Sequence, residues 1–199
     1  MPSVIRYIDL CSGIGGFRLA LEALASEEQQ VECVLSADVK QDALDTYNLN
    51  FAEKNKSTDV YELDVRTIPA FDVLCAGFPC QPFSSAGRKL GFSDQRGGMI
   101  FKIRDICAHH KPRHVLLENV YNLLALKNGE YIQRIEALFT DLGYNVTYAK
   151  LNSKDFSCPQ SRERVYIACT LGKALDLSSL PCSQPVKLRS CIDLGNRET

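Results

Sequence analysis

The segment Ala76-Gly77-Phe78-Pro79-Cys80-Gln81-Pro82-Phe83-Ser84 holds one thiol between two prolines. Proline fixes φ and has no backbone N–H, so neither helix nor strand runs on through this stretch and Cys80 stands on a constrained turn. An isolated cysteine is most often a buried small hydrophobe. Here the loop is polar and leads into Arg88, Lys89 and Arg96, and cations favour the nucleophilic thiolate. Further along, Leu116-Leu117-Glu118-Asn119-Val120 ends an apolar run with an acid. Glutamate is rarely buried unless paired, and an unpaired one in an apolar strand favours its neutral, hydrogen-bond-donating form. In Arg162-Glu163-Arg164 two guanidinium groups fall on the same side of an extended segment. Simple surface pairing with Glu163 is the alternative for them.

A second constellation lies near the start. Asp9-Leu10-Cys11-Ser12-Gly13-Ile14-Gly15-Gly16-Phe17 follows an apolar run and opens a helical one. Glycines let backbone N–H groups approach a ligand, and a helix N-terminus favours an anionic group. Asp38 ends the next apolar run, 22 residues after Gly16, where a carboxylate can accept both hydroxyls of a ribose. The spacing G-x-G-G departs from the G-x-G-x-x-G of dinucleotide enzymes, which disfavours hydride transfer. At this level a nucleoside-bearing cofactor fits, its identity open, and tight packing of the turn is the alternative.

These groups need a scaffold, and the hydrophobic pattern describes one. Val4–Leu10, Val31–Ala37, Phe71–Ala76, Val115–Val120, Tyr144–Leu151 and Arg164–Thr170 read as strands. Phe17–Ala25, Gln41–Phe51, Met99–His109 and Tyr131–Leu142 read as helices, the last ended by Gly143. The alternation predicts an α/β chain with a mostly parallel twisted sheet and helices on both faces. Ligands gather at the carboxyl ends of such strands, which is where the segments after Leu10, Ala37, Ala76 and Val120 lie. Between Phe78 and Gly98 no periodicity appears, and a loop that long inside a domain is usually functional.

Composition narrows the class. The chain has 199 residues, 23 basic against 24 acidic, 45% of them hydrophobic, enough for one domain with a core. No apolar run approaches a membrane span, and Met1-Pro2-Ser3 leads straight into a strand, so neither a span nor a secretory leader is expected. Nine cysteines without a CxxC pair point to reduced thiols rather than a disulfide framework. The near-neutral balance hides an asymmetry: residues 1–79 carry 6 basic and 13 acidic side chains, residues 80–113 carry 7 and 2. The latter stretch could face phosphates. A cysteine protease or a zinc site would draw on His109, His110 and His114, all in or just after one predicted helix, and both readings are weak. No metal is expected.

Taken in order, these motifs resemble the cytosine-5 DNA methyltransferase family over nearly the whole chain. Asp9–Phe17 is similar to its cofactor turn, Gly77–Ser84 to its PCQ loop, Glu118-Asn119-Val120 to its ENV motif and Gln160–Tyr166 to its QxRxR motif. The resemblance implies a Rossmann-like methyltransferase fold, S-adenosyl-L-methionine as cofactor and double-stranded DNA as partner, in a cytoplasmic or nucleoid-associated restriction–modification setting. It implies cofactor contacts at Asp9, Cys11, Gly13, Ile14, Gly15, Gly16, Asp38, Val39, Asp64, Val65 and Pro79, with Asp38 at the ribose and Asp64 near the adenine. It makes Cys80 the nucleophile on carbon-6 of a flipped cytosine, Glu118 the donor to ring nitrogen 3, Arg164 the ligand of the base carbonyl and Arg162 its support. Asn119 would hold the Pro79-Cys80 turn, and Ser84, Lys89 and Arg96 would meet phosphates.

Two features depart from the family. Cys11 and Val39 stand where an aromatic and a large side chain are usual, and losing an aromatic face costs on the order of 1 kcal/mol of cofactor packing. Residues 1–170 are expected to form the catalytic domain. Only 171–199 follow, where family members continue into a target-recognition domain. A fragment, one subunit of a split enzyme completed by a second polypeptide, and an inactive remnant binding cofactor or partner all fit. A tRNA cytosine-5 methyltransferase relative is the alternative substrate reading.

Overall fold

The computed structural model describes residues 3–79 and 98–184. Cys80, Ser84, Lys89 and Arg96 lie outside the described residues. Strand β1 (Ser3–Leu10) is fully buried from Tyr7 onward, as expected of an apolar strand covered on both faces. It pairs in parallel with β2 (Gln29–Ala37) on one side and β3 (Val73–Ala76) on the other. Strand β4 (His114–Val120) continues the parallel half beside β3. Then the direction changes: β6 (Glu163–Thr170) runs antiparallel to both β4 and β5 (Asn145–Asn152), giving the order β2-β1-β3-β4-β6-β5. The sheet is therefore mixed but mostly parallel, as expected: five strands share one direction and β6 alone runs against them. The cause is chain length: residues 153–162 join β5 to β6, too few for the helical crossover that a parallel return needs.

The helices are α1 (Gly16–Glu22), α2 (Gln41–Phe51), α3 (Met99–His110) and α4 (Glu130–Thr140). They fall within a few residues of the sequence expectation, and α2 matches it at both ends. Neighbouring residues of a strand point to opposite faces. On one face Ile8, Leu10, Leu74, Val115 and Leu117 meet Ile100, Ile103 and Ile106 of α3 and Ile132, Ile135 and Phe139 of α4. Each such side chain contributes roughly 1.5–3 kcal/mol when fully buried. On the other face Tyr7 and Cys33 lie under α2, whose Tyr47 hydroxyl is 3.8 Å from Cys33 Sγ. The described part of the 171–199 tail folds back on β5: Thr147 Oγ1 donates to Leu175 C=O at 2.8 Å, and Ser183 N–H donates to Asp155 C=O at 2.8 Å.

Helix α1 differs from what its pattern implied. Leu19 and Leu24 are 67% and 60% exposed, and the helix buries no residue. It is held instead by Arg18, whose guanidinium binds Glu22 at 2.6 Å, Glu53 at 3.0 Å and the Tyr47 hydroxyl at 3.2 Å while lying 4.5 Å over the Phe51 ring. Gly15 brings the turn onto α2. Its φ is +91°, and a Cβ there would sit 2.2 Å from Phe51 Cε2 and 3.1 Å from Tyr47 Cδ2. Overpacking and a left-handed backbone each cost on the order of 1–3 kcal/mol. We expect Gly15→Ala to lower stability by about 3 kcal/mol in urea unfolding; an unchanged midpoint would refute this packing.

Candidate active site

The chain turns from β1 toward β2 on one side and later enters β3 on the other, so a crevice opens at the carboxyl ends of β1 and β3. Four of the sequence motifs converge there. In the first, Asp9 ends up fully buried beside Ser36 of β2 and Cys75 of β3. Neither carboxylate oxygen has a hydrogen-bond partner among the described residues, and the same holds for the buried Ser12 hydroxyl. Burial lifts the Asp9 carboxyl to about 7, with Arg18 opposing the rise and Asp38 adding to it. Buried polar groups are normally satisfied, so two orphans in one turn call for a ligand or a function.

Asp38 is already at work. One oxygen accepts the Gly13 N–H and the other the Lys40 N–H, each at 2.8 Å. It therefore clamps the glycine turn to β2, a part that sequence spacing did not show. The Gly13 amide is thereby taken up by Asp38, one turn before the seven-residue helix α1. Cys11 has a φ of +54° and is half-buried. Burial, reinforced by Asp38, Asp9 and Asp59, pushes its thiol up to about 12, which favours the neutral form. Ile14 and Val39 are 60% and 56% exposed at the rim, apolar surfaces without cover.

The segment carrying Asp64 and Val65 is pinned to α3. Lys102 Nζ donates to Leu63 C=O at 2.6 Å and Tyr61 C=O at 3.2 Å, and His110 Nε2 lies 2.7 Å from Val65 C=O. Asp64 itself caps a short turn and holds Arg66, whose side-chain hydrogen bonds draw the carboxyl down to about 2. Lys102, His110 and Arg18 are positioning groups the sequence reading missed. Nothing in their spacing marks them, except that Arg18 and Glu22 are four apart on a helix.

At the crevice's other wall, Gly77 N–H donates to Leu10 C=O at 3.3 Å. Asn119 Nδ2, buried, donates to Phe78 C=O at 2.9 Å, so the ENV asparagine holds the chain two residues before Cys80. Glu118 is not the lone buried acid the sequence implied. It is partly exposed, and Arg164 Nε binds its Oε1 at 2.7 Å. Its Oε2 lies 3.7 Å from where a Gly77 Cβ would stand, facing the root of the cysteine segment. The reversal of β6 creates this pairing. In the antiparallel register Val120 faces Arg164 and Glu118 faces Tyr166, so the start of β6 meets the end of β4. Arg162 reaches the same rim, exposed, its backbone N–H held by Asn152 Oδ1 and Ser153 Oγ at 3.1 Å each.

Comparison with known proteins decides the family. The pattern of C-5 cytosine-specific DNA methylases matches residues 5–187. The chain belongs to this family. The Type II methyltransferase M.BanI of Aneurinibacillus aneurinilyticus is 43% identical over 169 residues, which are 84% of this chain and 39% of that protein. M.HhaI of Haemophilus parahaemolyticus is 38% identical over 188 residues, 94% of this chain and 55% of that protein. Among solved structures, the S. pombe Dnmt2 methyltransferase superposes with a TM-score of 0.69 at 25% identity, covering 86% of this chain and 52% of that one. The chain thus spans about half the length, or less, of these relatives. The mixed six-stranded sheet of this chain matches its structural neighbours. Among its described residues no helix is long and apolar enough to cross a membrane, and no group of three or more His, Cys, Asp and Glu could hold a metal.

Proposed function

We propose that this chain carries the chemistry of cytosine-5 methylation of DNA, with Cys80 adding to carbon-6 of a flipped cytosine. The observation that carries the reading is the convergence of Glu118, Arg164 and the Asn119-anchored root of the cysteine segment at one rim. Arg164 holds Glu118 by one oxygen, leaving the other to meet ring nitrogen 3, where a proton or hydrogen bond draws charge from the ring as the thiolate adds. Arg162, exposed at the same rim, supports the site.

S-adenosyl-L-methionine fits the other end of the crevice. The unpaired Asp9 carboxylate and Ser12 hydroxyl, the open space at Gly13 and the bare flanks of Ile14 and Val39 suit a ligand with amine, hydroxyl and ring surfaces. Asp9, Ser12, Gly13, Asp38 and Asp64 would hold it, with Cys11, Ile14, Val39, Val65 and Pro79 packing around them. Bound there, it supplies the electrophilic methyl group for carbon-5. Double-stranded DNA is the partner in this reading, in a cytoplasmic or nucleoid setting. Choice of target sequence falls to residues other than these, in the same chain or in a second polypeptide.

Duplex DNA carrying 5-fluorocytosine tests the proposal, because the fluorine blocks release of the thiol. With S-adenosylmethionine present, the wild-type chain should form a denaturation-resistant adduct mapping to Cys80, and Cys80→Ala should form none. An adduct of equal yield in Cys80→Ala, or an adduct on RNA only, rejects it.

A further inference from the structure

Beside the Glu118–Arg164 pair, an open groove of about 490 Å³ runs over the start of β6, bordered by Tyr121, Lys154, Gln160, Arg162 and Glu163. Its walls are mainly polar, and its charges do not cancel. Glu163 is bound by Lys150 at 2.8 Å and Arg164 by Glu118 at 2.7 Å. Lys154 and Arg162 have no ion pair among the described residues, so the groove keeps two uncompensated positive charges. One side chain sets their spacing: Asn152 Oδ1 accepts the backbone N–H of Lys154 at 3.2 Å and of Arg162 at 3.1 Å. Ser153 ties the same loop, accepting the Arg162 N–H at 3.1 Å and donating to Gln160 C=O at 2.5 Å. Two cations on a hydrogen-bonded bracket, with an exposed tyrosine opposite, form a prearranged seat for an anion that continues past the reacting base.

We infer that this groove binds phosphodiester groups of the DNA strand flanking the target cytosine, with Lys154 and Arg162 as the phosphate contacts and Asn152 as their positioning residue. The inference rests on the function proposed above and extends it beyond the motif that supplies Arg162 to Lys154 and Asn152, which belong to none of the motifs. Phosphate contacts fix register without reading sequence, which suits a groove lined by backbone-anchored cations.

The salt dependence of binding tests it. Binding of the full chain to a fluorescent mixed-sequence duplex is measured by anisotropy between 50 and 200 mM salt. Each phosphate contact contributes about 0.9 to the slope of log K against log salt. Lys154→Gln should lower the slope by about 0.9, and the double variant with Arg162→Gln by about 1.8. Asn152→Ala should weaken binding while both charges stay in place. Lys173, exposed at the end of β6 on the opposite rim, is the control, and Lys173→Gln should leave the slope unchanged. A Lys154→Gln slope equal to wild type, or an equal fall in Lys173→Gln, overturns the groove while leaving the adduct at Cys80 intact. Absence of any salt-dependent DNA binding by the wild type overturns both.

Discussion

Glu118→Gln should lower methyl incorporation into DNA by about 10²–10⁴-fold relative to the wild-type chain, the usual worth of a positioned acid or base. Glutamine keeps the volume and one carbonyl oxygen for Arg164 Nε, which now reaches Oε1 at 2.7 Å, so the rim keeps its shape. What goes is the exchangeable proton that the base nitrogen needs when the thiolate adds. Binding of duplex DNA should therefore change little, and the rate of adduct formation on 5-fluorocytosine should fall with turnover. Arg164→Lys probes the same pair from the other side, since an ammonium cannot present the guanidinium's fork to both the acid and a base carbonyl. A Glu118→Gln chain within tenfold of wild type would remove the acid from the mechanism.

The second large effect is one of opposite signs. Asp9 is wholly buried without a partner, and its carboxyl is raised from 3.8 to about 7 by burial. A raised acid binds its proton more tightly in the folded chain than in the unfolded one. Its contribution to stability is complete below about pH 4 and is lost as pH rises through 7. At one pKa unit per 1.36 kcal/mol the loss amounts to a few kcal/mol. Asp9→Asn carries no charge to desolvate, though its buried amide keeps about 1–3 kcal/mol of unmet hydrogen bonding. We expect the variant to be more stable than wild type at pH 8, by about 1–3 kcal/mol, and to lose the downward slope between pH 4 and 7. We expect S-adenosylmethionine to raise the melting temperature of the wild type and not that of the variant. Thermal unfolding at pH 5 and pH 8, with and without the cofactor, measures all three. A variant that keeps the wild-type slope would show that Asp9 is satisfied in solution.

Together the two variants describe a site divided by task. The Asp9 end sacrifices stability to keep an unpaired acid in the crevice, as functional sites often do. The Glu118 end does the reverse: acid and arginine neutralise each other across β4 and β6.

Much of this was legible along the chain. Strand and helix identity followed from periodicity, because burial on a pleated strand or a helical stripe leaves a period of two or 3.6 in the residues themselves. The glycine turn, Asp38 and the ENV and arginine motifs were also readable, since each is marked by residue types at local spacing. Asn119 donates its amide to the Phe78 carbonyl, in the chain that leads toward Cys80. Three things depended on contacts that only the folded chain makes. Glu118 gained its partner only because β6 runs antiparallel, bringing residue 164 beside residue 118. Asp38 proved to clamp the turn from 25 residues away. Lys154 and Arg162 became neighbours through one asparagine. The sequence by itself determined which groups could react and which segments carry them. The tertiary structure alone decided which charges cancel and which stay free, because pairing depends on distance in space and the chain's order does not encode it.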